Sequence, residues 1–148
     1  MRYFNQKQLA ITLLGVIASP FVIFFFLLLG SRYSSLLPVP PAIAMHSYGV
    51  LCASFFAGIQ WGIHFCKRTD DSVYLLSFFT LLLAWLSLLG PGTVTGLSVL
   101  LVAFVLSWLE ECRLSNQRVT TSWFWKIRCW STILIILSLL LSIAKLAS

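Results

Sequence analysis

The stretch STILIILSLLLSIA, residues 131–144, holds fourteen residues without a charge and without strict alternation of apolar and polar positions. Its counterpart near the other end of the chain, FVIFFFLLLG at 21–30, is apolar up to its closing glycine. Continuous runs of this kind suit a helix buried in hydrocarbon, where each backbone N–H and C=O must find a partner within its own segment. Barrel strands facing lipid would instead alternate at a period of two. The whole chain agrees with the helical reading. Of its 148 residues 59% are apolar and only 9% charged, and the mean hydropathy is +0.96. A soluble domain carries roughly 45–50% apolar and about 25% charged residues. The expected fold is therefore all-α, a polytopic membrane bundle.

A span takes about 20 apolar residues, with a range of roughly 17–25. Five segments meet or approach this length: 9–29, 42–65, 73–89, 94–109 and 130–147. The third and fourth are short and separated by GPGT at 90–93, a turn sequence that predicts an antiparallel hairpin. The chain thus reads as one transmembrane domain without internal repeats. The first segment has an apolar core longer than the roughly 7–15 residues of a signal peptide, so it is expected to remain as an anchor. The few residues before it are too short for an organelle transit sequence. A bacterial inner membrane is the simplest home, and the mitochondrial inner membrane the other.

The net charge of +6 comes from ten Lys/Arg against four Asp/Glu. Spread over segment ends, these cations point to anionic headgroups rather than nucleic acid. Eight of the ten fall on one side: Arg2, Lys7, Lys67, Arg68, Arg113, Arg118, Lys126 and Arg128. Arg32 and Lys145 fall on the other. The excess marks the inner side and predicts an N-terminus inside and a C-terminus outside.

The second segment holds the chain's two histidines. At about 100° per residue, His46, Gly49, Val50, Ala53, Ala57, Gln60 and His64 form one stripe of small and polar side chains, with Leu51, Phe55 and Ile59 opposite. Polar residues in a span face the bundle interior. Gly58 and Gly62 make a second face that admits close approach of a helix, so this segment is expected to be central and contacted on two sides. Two readings of the stripe stand side by side. In one, His46, Gln60, His64 and the neighbouring Trp61 form a polar path or a small-ligand site. In the other, Gln60 is an interhelical hydrogen-bond donor and the histidines sit solvated at the two membrane surfaces. Some 27 Å of helix separates His46 from His64, too far for a shared metal or haem.

Cys52, Cys66, Cys112 and Cys129 lack the C-x-x-C spacing of a metal site and read as free thiols in a reducing location, so no metal and no cofactor is expected. Pro20 interrupts the first segment and predicts a kink. Residues 31–47 carry three of the five prolines and suggest a stiff, extended cap. Glu110 and Glu111 are expected as solvated carboxylates closing the fourth span. Beyond them Trp123, Trp125, Lys126, Arg128 and Trp130 read as interfacial anchors on a short amphipathic helix lying along the inner leaflet. No nucleophile elbow, zinc-protease motif or phosphate loop occurs, which argues against an enzyme. The spans themselves hold no charge except the terminal Lys145, which argues against a pump or channel.

YGVLCASFFAGIQWG at 48–62, LLAW at 82–85 and WFWKIRCWST at 123–132 resemble the transmembrane protein 69 family, small five-span proteins of bacteria and mitochondria grouped under a domain of unknown function. The positions that carry the resemblance are Tyr48, Gly49, Phe55, Gly58, Trp61, Gly62, Trp85, Trp123, Arg128 and Thr132. Ala57 and Gln60 stand where the family often has a glycine and a histidine, and Thr80 where a proline is usual. The resemblance implies the five-span topology and no activity. The expected function is a non-enzymatic membrane protein that assembles with or stabilises other membrane proteins, or copies of itself. The alternative is a binding or transport protein for a small lipid-like molecule.

Overall fold

The structure is a computed structural model describing residues 6–30, 38–67, 71–117 and 121–148. Residues 31–37, and Arg2, Arg32, Arg68 and Arg118 among the cations used to assign orientation, lie outside the described residues. Five α-helices follow one another: α1 Gln6–Leu29, α2 Pro41–Lys67, α3 Asp71–Ser87, α4 Val94–Asn116 and α5 Ser122–Ala147. Four of them are long and apolar enough to cross a membrane, while α3, apolar over Tyr74–Ser87, is shorter. Its 17 residues reach about 25 Å, a little under the hydrocarbon thickness.

Local sequence explains the helix ends and the one interior break. Pro41 opens α2, a position where its missing N–H costs nothing, and the Pro40 carbonyl accepts from the N–H groups of Ile43 and Ala44. The cap expected over 31–47 therefore becomes helix from residue 41 onward. Within α1, Pro20 cannot donate to the Val16 carbonyl. The Ser19 hydroxyl donates to that oxygen instead, at 3.0 Å, and the helix continues. Between α3 and α4, Gly92 takes φ +71°, a left-handed conformation that favours glycine. Thr93 then caps α4 by accepting from the Gly96 N–H at 3.1 Å.

The helices form a ring in chain order. Each packs on its sequence neighbours, α1 closes against α5, and α2 touches α4 across the middle. All five contribute to the apolar core, including Phe21, Phe56, Ala84, Phe104 and Ile135. Phe104 meets Phe21 and Phe56 edge-on, with centroids 5.9 and 6.4 Å apart. The centre belongs to α2 and α4 jointly. Gly49 is what lets them meet there: a Cβ on it would lie 2.6 Å from Leu100 Cδ2.

The second glycine face behaves differently. A Cβ on Gly58 or Gly62 would meet nothing within 4 Å, and both glycines are exposed. The expectation that α2 is gripped on two sides is corrected in this respect, because α1, α3 and α4 all pack on its other faces.

The largest departure concerns α4 and α5. The fourth span, expected to end at 109, continues as helix to Asn116, and α5 starts at Ser122 instead of 130. Each gains about two turns. The expected surface-lying amphipathic helix does not form, since its residues 122–130 are the first turns of α5. That extension carries three charged side chains into the bundle.

Candidate functional site

The α3–α4 hairpin has an unusual contact surface for a membrane protein. On α3 the buried positions among the described residues are Ser77, Thr80, Ala84 and Ser87, and on α4 they include Leu100, Ala103, Ser107 and Glu110. Each set steps by three, four and three residues along one helix face, and every member is at most 1% exposed. Ser77 donates its hydroxyl to Glu110 Oε1, which sets the antiparallel register. From α2, the Gln60 amide reaches the same level and donates to the Ser107 carbonyl and hydroxyl, at 3.2 and 3.3 Å. Gln60 is thus an interhelical donor, tying α2 to α4.

One turn further, Arg128 of α5 donates Nε–H to Glu111 Oε1 of α4. Both side chains are buried. The guanidinium carbon lies 3.2 Å from the centroid of the Phe56 ring on α2, so one cation links three helices. Planarity and weak hydration make arginine, not lysine, suited to such a place. Arg128 was expected as an interfacial anchor and the two glutamates as solvated helix-end groups; burial corrects all three. Also corrected is the expectation of uncharged spans, on which the case against transport rested.

The other singled-out residues separate into three environments. At the far end of the bundle His46 is fully buried, against the expectation of a solvated surface histidine. Ser87 Oγ donates to the Ala84 carbonyl and so accepts from His46 Nε2 at 2.9 Å. His46 Nδ1 accepts from the Gly92 N–H at 3.0 Å. This network requires the tautomer with its proton on Nε2 and makes His46 a clamp between α2 and the α3–α4 turn. Gly96 leaves room for the ring, since a Cβ there would lie 2.7 Å from His46 Cε1 and 2.0 Å from the Gly90 carbonyl oxygen.

His64 and Trp61 occupy the other end of α2, away from the clamp. Trp61 stacks on Tyr74 of α3 at 4.9 Å, and His64 lies tilted against the same ring at 5.3 Å. Along the stripe between them, Gly49, Ala53 and Ala57 are buried. Of the expected anchors, Trp130 and Lys126 are exposed, while Trp123 and Trp125 are half-buried.

A cavity of about 30 Å³ opens beside the stripe, with Gln60, Glu111, Trp125 and Arg128 among its walls. Space of that size holds one or two water-sized molecules, not a lipid. Five buried polar atoms here and in the seam lack a partner among the described residues: Gln60 Oε1, Thr80 Oγ1, Glu110 Oε2, Glu111 Oε2 and Trp125 Nε1. No three His, Cys, Asp or Glu side chains among the described residues come together as a metal site. Trp108 Nε1 donates to Cys129 Sγ at 3.2 Å, Cys52 is buried and Cys66 exposed.

Glu110 and Glu111 were legible in principle. The buried face of α4, Leu100, Ala103, Phe104 and Ser107, continues at Glu110, Glu111 and Leu114 with the same three- and four-residue steps. Leu114 was the signal, an apolar residue one turn beyond the charges and on their face. On α5 Arg128, Ser131, Thr132, Ile135, Ser138, Leu139 and Ser142 form a comparable face.

No curated protein and no solved structure matches this chain. The family described as "Protein of unknown function (DUF3429)" matches residues 5–144, nearly the whole chain, and the protein belongs to that family.

Proposed function

We propose that this membrane protein is a non-enzymatic accessory or assembly subunit that docks against other membrane proteins, or against copies of itself, through the glycine face of α2. The observation that carries this reading is the open space over Gly58 and Gly62, on a helix whose other faces are held by α1, α3 and α4. In lipid, helices associate by close backbone approach at small residues, and this face is shaped for it. Exposed Leu51, Phe55 and Phe65 border the glycines and would complete the contact. The charge asymmetry supports an N-terminus on the inner side, and a bacterial inner membrane is the simplest home for such a chain. Exposed Trp130 and Lys126 are suited to the inner-leaflet headgroup region.

The test compares two glycines. Gly58→Leu adds a side chain into open space and leaves the bundle intact. Gly49→Leu forces atoms onto Leu100 and Phe21 and destabilises it by about 1–3 kcal/mol. Native mass spectrometry of the protein extracted in mild detergent should show a stoichiometric partner or a homo-oligomer, lost in Gly58→Leu while the melting point holds. A monomer in wild type, or a complex indifferent to Gly58→Leu, would refute the docking face.

A further inference from the structure

The cavity beside the stripe is walled by groups whose hydrogen bonding is incomplete. Gln60 of α2, Glu111 of α4, and Trp125 and Arg128 of α5 line its volume of about 30 Å³. Three of these four carry a buried polar atom without a partner among the described residues: Gln60 Oε1, Glu111 Oε2 and Trp125 Nε1. Gln60 is 2% exposed and Glu111 8%, so water outside the bundle does not serve them. Their other polar atoms are already engaged, the Gln60 NH₂ on Ser107 and Glu111 Oε1 on Arg128. Bare buried acceptors are costly, and a cavity that two of them line is where an occupant would satisfy them.

The chemistry of the walls selects the occupant. Two unpartnered acceptors, one of them a carboxylate oxygen, stand against one unpartnered donor, so a group rich in N–H fits better than a group rich in oxygen. Glu110, fully buried, brings a second carboxyl to the same end of the bundle, against one buried guanidinium. A positive charge is therefore favoured over a negative one. Phe124 and Trp125 add aromatic walls, which attract a cation through their ring faces. Room for one or two waters excludes a whole lipid but admits the tip of one, a single –NH₃⁺ group.

The cavity sits where such a tip is found. Gln60 lies two turns before the end of α2, Glu111 in the last two turns of α4, and Trp125 in the first turn of α5. These ends share one side of the bundle, at the level where aromatic and basic residues meet lipid headgroups. Exposed Ile59 and half-buried Phe124 are among the walls, so the opening faces the outside of the bundle.

We propose that this cavity binds a primary ammonium group, carried by the headgroup of an ethanolamine-type phospholipid or by a free small amine. The ammonium donates to Gln60 Oε1 and Glu111 Oε2. The Trp125 N–H is then left for a phosphate oxygen in the lipid, or for a water beside a free amine. The site does not involve the glycine face of α2, and bound lipid and bound protein are read as separate masses, so the two readings can fail separately.

The test is native mass spectrometry of the full chain in mild detergent with equimolar phosphatidylethanolamine and phosphatidylcholine of the same acyl chains. Trimethylation removes every N–H donor and outgrows the cavity. If the lipid is the source, phosphatidylethanolamine is retained at least about tenfold better, the size of one charge-assisted hydrogen bond. If a free amine is the source, the two lipids are retained equally, and methylammonium chloride raises the melting point of the delipidated protein where choline chloride does not. Gln60→Met removes one acceptor and should abolish either effect. Because it also cuts the tie to Ser107, Ile59→Trp serves as the second variant: it fills the opening from an exposed position and leaves the buried hydrogen bonds in place. Equal retention of both lipids without a methylammonium effect would mean that the cavity holds water only and would overturn the proposal. So would an effect that persists in both variants.

Discussion

Replacing Arg128 separates a buried cation from a surface anchor, and the two placements differ in energy by more than an unfolding experiment's error. Arg128 is 5% exposed and Glu111 8%, so solvent screening does little for either. Removing one member of a buried ion pair leaves the other uncompensated, at a cost of about 3–5 kcal/mol. The contact over Phe56 adds to this, since a desolvated cation–π pair is worth about 2 kcal/mol, although the two losses share one side chain and will not sum fully. Arg128→Met should therefore destabilise the bundle by at least about 3 kcal/mol. Arg128→Lys should recover only part, because an ammonium keeps the charge but not the planar stack on Phe56. The double variant Arg128→Met/Glu111→Leu removes both charges and should return to within about 1–2 kcal/mol of wild type, as replacing a buried pair with apolar groups is often neutral. The assay is reversible unfolding in mixed micelles by denaturing detergent, read by circular dichroism. A surface ion pair would cost under about 1 kcal/mol on Arg128→Met. That result, or a double variant as unstable as the sum of its singles, would refute the buried pair.

Two further outcomes follow from the same geometry. His46→Ala strands the Gly92 N–H and removes the donor to Ser87 Oγ, whose own hydroxyl stays on the Ala84 carbonyl, and should cost about 1–3 kcal/mol. Faster hydrogen exchange at Gly92 would accompany it, and exchange unchanged from wild type would count against the clamp. Cys66, exposed near the end of α2, should react with a membrane-impermeant maleimide only from the proposed inner side of the membrane, whereas buried Cys52 should stay protected until the protein unfolds. Labelling of Cys66 from the opposite face would invert the proposed orientation.

The all-helical bundle was legible because lipid leaves the backbone few options. A run such as 131–144 can satisfy its N–H and C=O groups only as a helix, and its composition alone says so. The stripe on α2 was legible for a related reason. Leu51, Phe55 and Ile59 point outward while Ala53, Ala57 and Gln60 point inward, as a period of 3.6 requires of a helix with a polar face in lipid. The GPGT turn needed only glycine's freedom at Gly92 and a capping hydroxyl at Thr93.

Burial of charge was decided elsewhere. Glu110, Glu111 and Arg128 sit where hydropathy falls away, and a sliding reading places such residues at the membrane surface. Whether they are solvated depends on how far the neighbouring helices extend beside them, and that is a property of register across helices. Ser77 against Glu110 and Arg128 against Glu111 and Phe56 bring together residues far apart in the chain, and only the closed ring of helices makes them neighbours. The same holds at His46, whose two partners come from the end of α3 and the following turn. The one-dimensional pattern determined which segments are helices and which face of α2 turns inward, because those follow from backbone chemistry and local periodicity. Which polar side chains lose their water was left to the packing of five helices, because desolvation is set by everything that surrounds a group.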